Sequence, residues 1–317
     1  MKYVTYLDTA GDARAGLLIG GHIADLERGL QWAQEKGRCL EQRSYPASLL
    51  RFLELGCDAR ELAAFFREET TWTAEDFATP LEKANLLAPL PNPRSFRDFY
   101  AFEEHVKTAR GNRGADMVPE WYDFPVFYFS NHQAVVGPEA QVERPRYTQA
   151  LDYELEIGIV IGKQGRDIAP EDAHEYVAGL MVLNDWSARD IQMQEVKVGL
   201  GPAKGKDFAT SMGPYLLTLD ELEDVRDGNR WALEMTARVN GLELSRGNFK
   251  GIYFSLGELI ARASDGVTLY PGDVLGTGTV GTGCILELTT NVHRWLEPGD
   301  VVELEVERLG ILRNSII

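Results

Sequence analysis

The run Leu151-Asp-Tyr-Glu-Leu-Glu-Ile-Gly-Ile-Val-Ile161 carries a carboxylate at every second position over its first half. Read as one strand, it sets Asp152, Glu154 and Glu156 on one face and Tyr153, Leu155 and Ile157 on the other. Like charges that close repel. Two arrangements relieve the repulsion: a face open to water, or an oxygen-donor site for a hard divalent cation. Further on, Asn184-Asp-Trp-Ser-Ala-Arg-Asp-Ile-Gln192 reads as a strand ending in a helix. That reading puts Asp185, Arg189 and Gln192 at i, i+4 and i+7 on one helical face. Such a face suits site-facing groups, or an ordinary intrahelical ion pair worth about 0.2–0.5 kcal/mol. Upstream, Arg97-Asp-Phe-Tyr-Ala-Phe-Glu-Glu-His105 adds an acid, a tyrosine and one of five histidines, the side chain suited to proton transfer near neutral pH.

One motif points elsewhere. Gly276-Thr-Gly278-Thr-Val-Gly281 satisfies the glycine pattern of a dinucleotide turn, but that turn needs a helix N-terminus next. Here Cys284-Ile-Leu-Glu-Leu follows, which reads as an alternating strand, so the expectation is a loop between two strands.

The elements that must position these groups fall into two parts. Residues 1–86 read as a small α/β domain, with strands at Lys2–Leu7 and Ala15–Ile19. Among its helical stretches are Ser48–Leu55 and Ala59–Phe66, where apolar residues recur at three- and four-residue spacing. Leu87-Ala-Pro-Leu-Pro-Asn-Pro93 cannot continue a helix or central strand, because proline fixes φ and lacks an amide donor. The boundary is placed there, with a rigid turn inside one domain as the other reading. Residues 87–317 are richer in strands: Phe124–Ser130, Leu151–Ile161, Ala178–Leu183, Trp231–Val239, Val274–Thr277, Cys284–Thr289 and Val301–Val306, with a helix over Ser255–Ala263. Without strict strand–helix alternation, the class is α+β with a mixed or rolled sheet.

Composition narrows the partners. At 44% hydrophobic and 26% charged, the 317-residue chain belongs with globular proteins. Its net charge of −17 opposes nucleic acid and acidic bilayers. No apolar run approaches the ~20 residues of a membrane span. Asp8 and Asp12 interrupt any secretory leader, and Cys39, Cys57 and Cys284 have neither metal-ligand spacing nor an even number. The expected location is the cytoplasm.

Together the chemical segments resemble the fumarylacetoacetase family. Asp98-Phe-Tyr100 with His105 is similar to its D-F-Y-x(4)-H segment, and Glu154-x-Glu156 to its E-x-E strand. Asn184 through Gln192 reproduces N-D-W-S-A-R-D-I-Q. Pro125-Val-Phe-Tyr128, Gly205-Lys-Asp-Phe208, Asn248-Phe-Lys-Gly-Ile-Tyr253, Gly278-Thr279 and Leu286-Glu-Leu288 resemble the remaining motifs, so the likeness runs from about Leu87 to the end. It implies a rolled mixed β-sheet preceded by a variable N-terminal domain, in a homodimer. It also implies one divalent cation, magnesium or calcium, with manganese a further choice, on Asp98, Glu154, Glu156 and Asp185. Asp152 is no ligand position in the family and is left behind the ligands or at the surface.

The implied reaction is hydrolysis of a carbon–carbon bond in a small-molecule 2,4-dioxo acid, an acylpyruvate or fumarylacetoacetate-like compound. His105 would activate water, oriented by Glu287. Arg189, Gln192 and Lys206 would meet the oxyanion, and Tyr100, Tyr128 and Thr279 would contact substrate. The alternative on the same scaffold is a decarboxylase, hydratase or isomerase of a 2-oxo-alkenedioate. Arg110 and Arg113 compete for one further substrate position, Thr108 stands where shorter relatives place a glutamate, and residues 101–120 are expected to form a lid.

Overall fold

The computed structural model describes every residue except Cys39, Gln42 and Arg113; the expectations placed on Cys39 and Arg113 lie outside the described residues. In chain order the first elements are β1 (Lys2–Leu7), β2 (Ala13–Ile19), β3 (His22–Asp25), α1 (Leu26–Glu35), α2 (Leu49–Glu54), α3 (Arg60–Glu68), β4 (Ala78–Pro80), β5 (Asn85–Leu87), β6 (Ser95–Phe99) and α4 (Glu103–Gly111). Next come β7 (Phe127–Phe129), β8 (Val135–Val136), β9 (Gln141–Val142), β10 (Leu151–Asp152), β11 (Leu155–Ile161), β12 (Val177–Asp185), β13 (Ser187–Ala188), α5 (Arg189–Val198) and β14 (Thr210–Leu217). The chain ends with β15 (Arg226–Asp227), β16 (Arg230–Trp231), β17 (Glu234–Val239), β18 (Leu242–Asn248), α6 (Leu256–Ser264), β19 (Asp273–Gly276), α7 (Ile285–Leu288), β20 (Val301–Val306) and β21 (Gly310–Ile316).

Among the described residues, twelve strands join in one mixed sheet, in the order β4-β3-β2-β1-β14-β12-β11-β19-β6-β7, with β5 on β1 and β8 on β14. Five more form a second sheet, β18-β17-β20-β21-β9. Burial follows the two-residue period of β11. Leu155, Ile157, Ile159 and Ile161 enter a core shared with Met235, Ala237, Val302 and Leu304 of the second sheet. Val160 instead meets a second core, in which Leu30, Phe52, Leu62 and Phe66 of the N-terminal helices cover Met181 and Leu183. A strand covered on both faces reads as a nearly continuous apolar run. Residues 1–86 join the large sheet through β1, where Lys2 lies opposite Leu217 of β14, and β5 runs beside β1 with Leu87 opposite Thr5.

Several elements differ from the sequence reading. Leu151–Ile161 is not one strand. β10 pairs with β13 as a separate piece, and β11 begins at Leu155 because the amide of Glu154 is taken by the Asn184 side chain, at 2.9 Å, and not by a strand neighbour. Cys284–Thr289 is not a strand either: Ile285–Leu288 forms a helical turn. Its first amides, Ile285 N and Leu286 N, donate to the Asp152 carboxylate at 2.8 and 3.0 Å, a cap supplied from far away in the chain. Of Phe124–Ser130 only Phe127–Phe129 is a strand, paired with β6; Pro125 has no amide to lend such a strand. No helix among the described residues is long and apolar enough to cross a membrane.

Candidate metal centre and catalytic dyad

Four acidic side chains converge where the strand ends meet. Asp98 is on β6, Glu156 on β11, Asp185 at the end of β12 and Glu154 just ahead of β11. Their ligand oxygens lie within 4.8 Å of one another, and none of the four residues is more than 5% exposed. The water-facing alternative for the acidic alternation is therefore overturned. Gly276 of β19, between β11 and β6, makes the space: a Cβ there would collide with Asp98 Oδ1 and press on Glu156 Oε2.

The partners of these acids are unevenly shared. Glu156 accepts from Gly278 N at 3.0 Å and from the Thr279 hydroxyl at 3.3 Å. Lys206 Nζ donates to Glu154 Oε2 at 2.5 Å and to Asp185 Oδ2 at 2.6 Å. The Tyr128 hydroxyl also donates to Asp185 Oδ2, at 2.5 Å. Asp98 Oδ1 and Asp185 Oδ1, though buried, have no hydrogen-bond partner. Burial raises the pKa of Asp98, Glu156 and Asp185, and neighbouring negative charge adds to the rise. Burial also acts to raise Glu154, but the adjacent Lys206 and Arg189 bring it down to about 2. Partnerless buried oxygens, mutual repulsion and an all-oxygen donor set fit a hard divalent cation.

Beside this cluster, His105 Nδ1 lies 2.6 Å from Glu287 Oε1. An ionised carboxylate only accepts, so beside ionised Glu287 the proton sits on Nδ1 and the lone pair on Nε2. Glu287 Oε2 accepts from Thr282 N at 2.9 Å. His105 comes from α4 and Glu287 from α7, and Asn112, capping α4, donates to the carbonyls of Leu286 and Glu287 at 3.1 and 3.0 Å. The Tyr100 ring packs edge-on against the imidazole, 5.3 Å between centroids.

Asp185 closes a strand and Arg189 opens α5, so the shared helical face and the intrahelical ion pair do not exist. Arg189 instead donates from Nε to Asp152 at 2.8 Å and from Nη1 to Gln192 Oε1 at 3.0 Å. Its Nη2 forms an ion pair with Glu154 Oε1 at 2.8 Å, without hydrogen-bonding geometry to it. Tyr128, expected on substrate, is held by the cluster's own acids. A cavity of about 590 Å³ joins these groups: Asp98, Tyr100, His105, Arg110, Tyr128, Glu154, Glu156, Arg189, Gln192, Lys206 and Thr279 all line it. The expected lid segment supplies His105 and Arg110 from α4, whose His105, Val106 and Ala109 are buried.

Asp152 lies behind the ligands and not at the surface. Fully buried, it ties Arg189 to the start of the helix carrying Glu287. Its place in the acidic alternation was the signal. Asn112 gave none, since its role depends on α4 and α7 being neighbours. The glycine-rich turn also reads differently: a helix does follow, but Gly278 N serves Glu156 and the first helical amides serve Asp152.

The model of the fumarylacetoacetate (FAA) hydrolase C-terminal family matches residues 94–317. The mitochondrial oxaloacetate tautomerase Fahd2a of Rattus norvegicus is 31% identical over 282 residues, covering 86% of this chain and 80% of its own length. Fumarylacetoacetase of Arabidopsis thaliana is 29% identical over 283 residues, 70% of this chain and 66% of its own. Among solved structures, the fumarylacetoacetate hydrolase of Exiguobacterium antarcticum superposes with a TM-score of 0.71 at 27% identity, over 100% of this chain and 99% of that one. The rolled mixed sheet, the acidic cluster and these likenesses agree: the chain belongs to the fumarylacetoacetate hydrolase family.

Proposed function

We propose that this protein is a divalent-cation-dependent hydrolase that cleaves a carbon–carbon bond in a 2,4-dioxo acid of the acylpyruvate or fumarylacetoacetate type. The observation that carries the reading is the buried His105–Glu287 pair, 2.6 Å apart, whose His105 lines the same cavity as Asp98, Glu154 and Glu156. A divalent cation on Asp98, Glu154, Glu156 and Asp185 would polarise the chelated carbonyl and stabilise enolate charge.

The chain's own groups supply the rest. His105 Nε2 takes a proton from water while Glu287 holds Nδ1–H and steadies the imidazolium; a positioned base of this kind typically contributes ~10²–10⁴-fold. The new C–O bond forms at the distal carbonyl. Arg189 Nη2 and Lys206 Nζ donate to the oxyanion that develops there. The C–C bond then breaks, its electron pair leaves as enolate beside Lys206, and the carbon recovers a proton from His105 Nε2. Tyr100, Thr279 and Gln192 border the space for the carboxylate and keto groups.

A second reading is tautomerisation of a 2-oxo dioic acid, supported by the relative named oxaloacetate tautomerase, 31% identical across 80% of its length. There His105 Nε2 would take a carbon-bound proton and return it to oxygen, with no water consumed. Side-by-side assays with magnesium present, following loss of dioxo-acid absorbance and identifying products by mass, separate the two. Two carboxylic acid products per turnover support the hydrolase. Interconversion of keto and enol oxaloacetate with no cleavage of any acylpyruvate replaces it with the tautomerase.

A further inference from the structure

A second cluster of metal-binding side chains sits against the first and differs from it in kind. His105, Cys284 and Glu287 each offer a ligand atom, all within 4.8 Å of one another and all from buried residues. Their donors are an imidazole nitrogen, a sulfur and a carboxylate oxygen, a set that suits zinc and its softer neighbours, where the four carboxylates suit magnesium, calcium or manganese.

The spacing is nearly that of a tetrahedral site. Bonds of about 2.0–2.3 Å from zinc to N, O and S place neighbouring ligand atoms roughly 3.3–3.6 Å apart. Cys284 Sγ is already 3.6 Å from Glu287 Oε1. The 2.6 Å contact between Glu287 Oε1 and His105 Nδ1 has only to open by about 0.7 Å to reach that range. Local structure sets this up. Cys284 caps α7 and Glu287 follows three residues later, while Thr282 N fixes the far carboxylate oxygen. Asn112 ties the helix bearing His105 to α7, so little ordering is left for binding to do. Without a cation, burial and the charges of Asp152 and Glu287 push the Cys284 thiol well up, keeping it a protonated, weak donor to Glu287. His105 and Leu286 line the open cavity, which gives an ion its approach.

We propose that His105, Cys284 and Glu287 form a second, softer metal site, and that a zinc-class cation bound there silences the dyad. Binding releases the thiol proton to solvent and moves the imidazole proton from Nδ1 to Nε2, so the ring keeps no lone pair for water. The inhibition rests on the hydrolase reading given above; the site itself does not.

Cobalt(II) is the probe, added to protein whose carboxylate cluster is filled with excess magnesium. Wild type is expected to develop a thiolate-to-cobalt charge-transfer band that saturates at one ion per chain. Cys284→Ser should lose the band, and His105→Ala should weaken it, which keeps the test intact if the serine variant fails to fold. In assays with zinc, wild-type hydrolysis should require at least about tenfold less zinc for half-inhibition than Cys284→Ser does. Absence of a thiolate band in wild type, or an equal band in Cys284→Ser, overturns the site. Equal zinc sensitivity of the two proteins overturns the inhibition by placing zinc on the carboxylates. If no dioxo acid is hydrolysed at all, the cobalt band still decides the site while the proposed reaction fails.

Discussion

Two buried regions packed against the same large sheet follow opposite rules. Around Phe66, the rings of Trp32, Trp72 and Phe77 lie within 4.9–6.3 Å of it, centroid to centroid, and the buried indole N–H of Trp72 donates to Phe66 O at 2.9 Å. Every contact there stabilises the folded chain as it stands. Around Glu156, four carboxylates are crowded out of water with one lysine and one arginine among them, and two oxygens have no partner. Burying ions without compensation is unfavourable by several kcal/mol per ion, so that region is complete only with something positive inside it. The first region specifies the fold. The second marks where the chain's stability is spent on chemistry.

The largest effect should come from the acidic region. His105→Ala is expected to lower turnover of a 2,4-dioxo acid by about 10²–10⁴-fold with calorimetric cation affinity nearly unchanged; a loss below tenfold removes His105 as the base. In the aromatic region, Phe66→Ala should cost about 3–5 kcal/mol in urea unfolding and leave kcat of the folded protein near wild type. A matching fall in kcat would mean that the two regions are not independent. A divalent cation at a hundred times its Kd should add about 2.7 kcal/mol to unfolding stability, and Glu156→Gln should abolish most of that gain.

The smallest effect lies away from both regions. Asp300 loses water on folding, which raises its pKa, but Arg294, the amide of Glu297 and Asn240 together bring it down to about 2. A lowered folded-state pKa gives stability that is present above the ordinary value near 3.8 and is lost as pH falls toward 2. The unfolding free energies of wild type and Asp300→Asn should therefore differ by at most about 2 kcal/mol at neutral pH and converge in that acid window. A gap that persists at pH 2 assigns the difference to something other than the charge.

The same contrast explains what could be read in advance. The strand at Val301–Val306 and the helix near Leu256–Ser264, with its Ser255–Glu258 capping box, follow from local pattern alone. The four acids that cluster are brought into one set by the family resemblance, not by local pattern. What failed depended on partners distant in sequence. Cys284–Leu288 is too short for its period to separate strand from helix, and its cap is Asp152. β14 is not legible from local pattern, since Pro214 speaks against a central strand. Spacing offers Arg189 the acid four residues before it as a partner, where the fold gives it Asp152 and Glu154.

Calorimetric titration of chelator-stripped protein with magnesium, manganese and calcium bears most directly on the claim that the four carboxylates hold one ion. The account predicts one cation per chain for at least one of these metals, with binding lost or severely weakened in both Asp98→Asn and Glu156→Gln. No binding heat with any of the three, or affinity unchanged in both variants, would contradict it.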